Sequence, residues 1–114
     1  MKADALTWKV RAIVERVIDG DTFAVTLDLG WGMFRREVKG CACAVRVLGY
    51  NTPERGKAGW EGATAALKLV LPAGTVVWVE SHKLEKYGRA LCRVIMADGT
   101  DLLDRLPKRW RVEK

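Results

Sequence analysis

A small closed β-barrel with one capping helix is the architecture this sequence predicts. Two observations carry the expectation. Five stretches read as strands, the first two by strict alternation of apolar residues, and the period lengthens to that of a helix once, between the third and the fourth. Turn residues separate the stretches, and no linker or repeat divides the 114 residues. The chain therefore reads as one mainly β domain with α content, its core from about residue 9 to 104 and a basic tail over 105 to 114.

Each element follows from local pattern. From Trp8 to Val17, apolar residues fall at alternate positions (Trp8, Val10, Ala12, Val14), as on a strand with one buried face. Asp19-Gly20 predicts a turn, and Phe23, Val25 and Leu27 repeat the alternation over 22 to 28. Leu29-Gly30-Trp31-Gly32 predicts a hairpin connection. A long strand region over 33 to 48 follows, with a bulge or bend expected near Lys39-Gly40. Glycine, asparagine, proline and charge mark 49 to 59 as a loop.

Trp60, Ala63, Leu67 and Val70 then form one helical stripe, stopped by Pro72 and Gly74. Strands are expected over 76 to 80 and 90 to 97, joined by a Lys86-Tyr87-Gly88 turn. Asp98-Gly99 turns the chain towards a short helix over 101 to 106. Five short twisted strands with a helix after the third define a barrel of the OB type, which often binds oligonucleotides but is not obliged to. Trp31, Trp60 and Trp78 are expected in the core or as capping residues.

Charge narrows the partners. Lys and Arg number 20 against 14 Asp and Glu, giving a formal charge of +6, which attracts polyanions without naming one. The last ten residues carry Arg105, Lys108, Arg109, Arg111 and Lys114 against Glu113 alone. Two readings of this tail stand: a basic arm that lies along a phosphate backbone with Trp110 stacked on a base, or a frayed, solvated terminus. No apolar stretch approaches the roughly 18 residues a membrane span needs, and the N-terminus lacks a secretory apolar core. The expectation is a cytoplasmic monomer, or a secreted one whose leader has been removed, with single-stranded DNA or RNA as partner, no membrane and no protein partner inferred. Cys41, Cys43 and Cys92 do not form a disulfide pattern, and His82 is the sole histidine, which leaves zinc short of ligands. The cysteines read as small apolar residues and His82 as a surface residue with no catalytic part.

The chemistry-bearing residues sit in three short segments: Val-Ile-Asp-Gly-Asp-Thr (17 to 22), Val-Arg-Val-Leu-Gly-Tyr-Asn-Thr-Pro-Glu (45 to 54) and Glu-Lys-Tyr-Gly-Arg (85 to 89). Taken singly, Asp19 and Asp21 read as turn formers, Arg46 as one half of a surface ion pair and Glu54 as a loop residue. Taken together, carboxylates able to grip a hard cation, accompanied by arginines, are what splitting a phosphodiester needs. Arginine keeps its charge and offers a planar fork to two phosphate oxygens at once. If Val45 and Val47 face the barrel interior, Arg46 between them projects outward.

In order and spacing these segments resemble the staphylococcal nuclease (thermonuclease) family, over about Lys9 to Asp104. The resemblance implies a metal-dependent phosphodiesterase acting on DNA and RNA, with Ca²⁺ as the usual ion and Mg²⁺ or Mn²⁺ as alternatives. It implies Asp21, Asn51 and the carbonyl of Thr52 as metal ligands, Glu54 as the group that activates water, and Arg46 and Arg89 as the clamp on the reacting phosphate. It also implies that Lys86 and Tyr87 touch a substrate phosphate. Three departures qualify it. Asn51 stands where the family usually has aspartate, the loop over 55 to 59 is shorter, and the family's terminal helix and a tyrosine beyond it have no counterpart. A non-catalytic single-stranded nucleic-acid-binding module is the competing expectation.

Overall fold

The computed structural model describes residues 8–35, 43–84 and 90–112, and it has the expected architecture. Strands β1 (Trp8–Asp19), β2 (Thr22–Gly30), β3 (Met33–Arg35) and β4 (Ala44–Val47) precede helix α1 (Trp60–Val70), and β5 (Val76–Leu84) and β6 (Ala90–Met96) follow it. Two 3-10 helices, Leu102–Arg105 and Lys108–Trp110, end the described chain. The sheet runs β1-β5-β6-β4-β2-β3 and closes because β1 also pairs with β2, which makes a five-stranded barrel with β3 as an extra edge. All pairings are antiparallel except β4 with β6.

Closure depends on β1, whose 12 residues serve two neighbours. Its first half pairs with β5, from Trp8 opposite Ser81 to Ile13 opposite Val76. A register shift between Val14 and Arg16 then bends the strand while it continues along β2. Alternation sends Ala12 and Val14 inward to meet Phe23, Val25, Val45, Val47, Val77, Val79 and Val94. Phe23 and Val94 are fully buried, and Arg46 lies on the opposite face from Val45 and Val47 as the pattern predicts.

Helix α1 covers one end of the barrel. It buries Ala63, Thr64 and Leu67, with Leu71 beyond its last turn, while Trp60 and Val70 at the ends of the expected stripe are half-buried. Gly59 takes a φ of 90° at the N-cap, a left-handed conformation open to glycine at little cost, and no side chain caps the helix there. Glu61 in the first turn and Lys68 in the last complement the helix dipole.

Some expectations are corrected. The strand expected over 76 to 80 runs on to Leu84, past a register shift between Ser81 and Lys83. His82, at that shift, is exposed and bonded to Glu80 at 3.1 Å. The short helix after Asp98-Gly99 is a 3-10 turn whose N-cap Asp101 accepts from the Leu103 amide at 3.0 Å. Trp31 is neither core nor cap: it is 99% exposed, because a two-residue turn leaves its side chain without neighbours. Trp78 is 39% exposed on the outer face. The bend near Lys39-Gly40, Cys41 and the Lys86-Tyr87-Gly88 turn lie outside the described residues.

The other two cysteines are free. Cys92 is buried in the core, and that burial pushes its thiol up to about 12, so it stays a neutral apolar group. Cys43 is half-buried and also raised by burial, partly offset by Arg35.

Truncating the anchor of α1 tests this packing. Leu67→Ala should cost about 2–5 kcal/mol of unfolding free energy in a urea melt. A loss below about 1 kcal/mol would mean that the helix is not clamped on the barrel as described.

Candidate functional site

The β1–β2 turn, strand β4 and the loop after it converge on one cleft of about 350 Å³. Asp19, Asp21, Arg46, Asn51, Thr52, Pro53, Glu54 and Arg55 line it. The expected Asp21, Arg46, Asn51, Thr52 and Glu54 are therefore brought together from positions up to 33 residues apart. Arg89, Lys86 and Tyr87 lie outside the described residues.

Asp21 is the buried member. Its residue is 7% exposed, and a carboxylate held so far from water needs partners. Oδ1 accepts from the Thr22 hydroxyl at 3.0 Å, and Oδ2 accepts from the Thr52 amide at 3.3 Å. Arg46 Nε lies 3.7 Å from the same Oδ2, and Arg46 Nη2 donates to Asn51 Oδ1 at 3.3 Å. The guanidinium thus bridges the carboxylate and the amide. The Val47 amide donates to the Asp21 carbonyl at 2.9 Å, which ties the turn to β4. Glu54 is exposed on the rim, where its carbonyl accepts from the Lys57 amide at 2.9 Å and shapes the loop.

Two supports were not legible beforehand. Trp60 Nε1 donates to Asp19 Oδ1 at 2.8 Å, and the Arg55 guanidinium lies 5.2 Å over the Trp60 ring, so the start of α1 holds both walls of the cleft. The second support is the tail. The Asn51 amide donates to the Trp110 carbonyl at 2.9 Å, the Val112 amide donates to the Gly49 carbonyl at 2.8 Å, and Tyr50 bridges to Arg111. Tyr50 is buried, and its hydroxyl donates to the Pro107 carbonyl at 3.2 Å. Burial is the main cause that raises its pKa, with the Asp21 charge adding to it and Arg109 opposing. Trp110 packs half-buried against the core with Arg109 4.1 Å over its ring. Through Val112 the tail is therefore a brace for the 49–51 loop, not a frayed end. The apolar Trp110 beside Pro107 was the available signal.

The donor set suits a hard cation in part. Asp21, Asn51 and the Thr52 carbonyl are all oxygen donors, and the buried Thr52 Oγ1 has no hydrogen-bond partner among the described residues. No group of three or more His, Cys, Asp or Glu able to hold a metal gathers among the described residues. A cation here would take one carboxylate, one side-chain amide oxygen and the Thr52 carbonyl, with the rest of its shell from water and substrate, as Mg²⁺ commonly does. A second, wider groove along Arg93, Asp101, Asp104 and Arg111 has its charges paired, Arg93 with Asp101 at 3.1 Å and Arg111 with Asp104 at 3.3 Å. Neither protein-family models nor curated proteins give a match to this chain.

Gly20 tests how tightly the turn is packed. A Cβ built there would sit 2.6 Å from Ala63 Cβ and 2.9 Å from Thr52 Oγ1. Gly20→Ala must push the turn off α1, with an expected cost of about 1–3 kcal/mol in chemical denaturation. A neutral result would contradict the close approach.

Proposed function

We propose that this cleft hydrolyses phosphodiester bonds in single-stranded DNA or RNA. The observation that supports it best is the gathering of Asp21, Arg46, Asn51, Thr52 and Glu54 around one opening, with the Arg46 fork aimed across it. Attack of water in line with the leaving oxygen builds negative charge on the non-bridging oxygens. Arg46 meets that charge with a guanidinium already positioned by Asp21 and Asn51, so little reorganisation remains at the moment of reaction. Glu54, exposed on the rim, takes the proton of the attacking water or orients it. Arg89 enters as a second clamp on the strength of the resemblance alone. A divalent cation, calcium or else Mg²⁺ or Mn²⁺, would be held by Asp21, Asn51 and the Thr52 carbonyl, and when bound supplies positive charge against the phosphate oxygens.

Asn51 favours a second reading, a binding module without catalysis, because an amide leaves the cation one formal charge short. A single assay separates the two. Single-stranded DNA incubated with calcium should be cut, chelator should stop the cutting, and Glu54→Gln should slow it by about 10²–10⁴ while a gel shift persists. A shift without cleavage in every metal tried would identify a binder.

The cost of the amide is measurable separately. Asn51→Asp restores a carboxylate beside Asp21 and should tighten calcium binding by calorimetry. Unchanged affinity would remove Asn51 from the ligand set.

A further inference from the structure

The β2–β3 hairpin carries a feature that the cleft does not explain. Gly30 pairs with Met33, so Trp31 and Gly32 form a two-residue loop, and their φ angles are 58° and 74°. Positive φ at both central residues is the type I′ turn, whose favoured sequence is Asn-Gly. Trp31 is the single non-glycine residue with positive φ among the described residues. The chain thus places a tryptophan where the backbone least favours a large side chain, and leaves it 99% exposed. Three neighbours add to the patch: Leu29 is 46% exposed, and Met33 and Phe34 are each 56% exposed.

We propose that this hairpin tip docks on an anionic lipid surface, with Leu29, Trp31, Met33 and Phe34 in the interface. Residues 29 to 34 carry no charged side chain, and the Trp31 indole N–H is their one polar side-chain group. Cations stand immediately behind them. Arg35 follows on β3, and on the outer face Phe34, Asp28, Arg11 and Trp78 form one row across four strands. Arg11 pairs with Asp28 at 3.5 Å, and Lys9 Nζ lies 6.0 Å from the Trp78 ring centroid. An apolar tip backed by cations and a tryptophan is the composition that membrane–water interfaces select. The tip's three residues per strand reach roughly 10 Å, matching the roughly 5–10 Å depth of the headgroup boundary. The Gly30 amide is satisfied within the hairpin by Asp28 Oδ1 at 3.0 Å.

Other occupants fit less well. A nucleic-acid strand brings a phosphate with every base, and the tip offers no cation between its rings. A second copy of the chain would have to bury about 800 Å² per partner, more than four side chains of at most about 150–250 Å² each can supply when three are only half exposed. No helix among the described residues is long and apolar enough to cross a membrane, and a hairpin resting in the interface needs none. The sequence-based expectation of no membrane partner rested on the lack of a span. The proposal departs from that expectation on the strength of the exposed tip, independently of the chemistry in the cleft.

Trp31→Asn is the decisive variant, because it removes the ring and gives the turn its favoured residue. In flotation assays the wild type should rise with vesicles of phosphatidylcholine plus phosphatidylglycerol and stay behind with phosphatidylcholine alone. Trp31→Asn should bind the anionic vesicles at least about tenfold less while its Tm rises by about 2–5 °C. Lys9→Gln and Arg35→Gln should weaken binding with the ring intact. The proposal is overturned if wild type fails to float with anionic vesicles, or if Trp31→Asn floats as well as wild type, leaving net charge as the cause. It is equally overturned if the variant loses affinity for a single-stranded oligonucleotide or self-association instead, or if its Tm falls.

Discussion

The carboxylate of Asp21 is the constraint around which one end of this molecule is arranged. A charge so nearly sealed from water is tolerable only where donors surround it, and they come from the same turn, from β4 and from the loop beyond. Thr22 is next in sequence, Arg46 reaches across from the strand opposite, and Thr52 donates its backbone from 31 residues away. Satisfying one acid therefore fixes the mutual placement of three segments. The cleft is a consequence of that placement, since Asn51 and Glu54 flank Thr52 and are carried with it.

Secondary supports keep the arrangement from spreading. Trp60 ties Asp19 to the first turn of α1, and Gly20 lets the turn sit against Ala63 with no room for a side chain. On the far side the tail pins residues 49 to 51 through backbone hydrogen bonds. The loop that bears Asn51 and Thr52 is short on regular structure, yet it is held from both ends. Positional control of this kind is what lets a hydrogen-bonding group act without first being ordered.

Much of the barrel was legible because alternation is a direct readout of one-sided burial. Val45-Arg46-Val47 announced both an inward pair and an outward arginine, and both are found. The helix was legible from Ala63 and Leu67. The tail was not, because its docking depends on carbonyl and amide groups that every residue possesses and on a tryptophan with no periodic partner. Nor was the partnership of Trp60 with Asp19, which joins residues 41 apart through a single indole N–H. For Trp31 the hairpin was legible but the exposure was not: a large aromatic beside glycines reads as packing, and the pairing of Gly30 with Met33 leaves it facing solvent. The motif residues could be enumerated from sequence and expected to act together, but the distances between them could not, since barrel closure sets those.

That failure and the one departure in the site have a common form. Local rules favour asparagine at the apex of a type I′ turn, where this chain has tryptophan at 31, and the proposed chemistry would favour a carboxylate at 51, where it has asparagine. At position 51 the amide oxygen accepts from Arg46 Nη2 at 3.3 Å, while Arg46 Nε lies 3.7 Å from Asp21. At position 31 a strained backbone is kept in exchange for an exposed ring. Places where a sequence contradicts its own local preferences are where function is sought first, and here they lie in the β2–β3 turn and in the loop after β4.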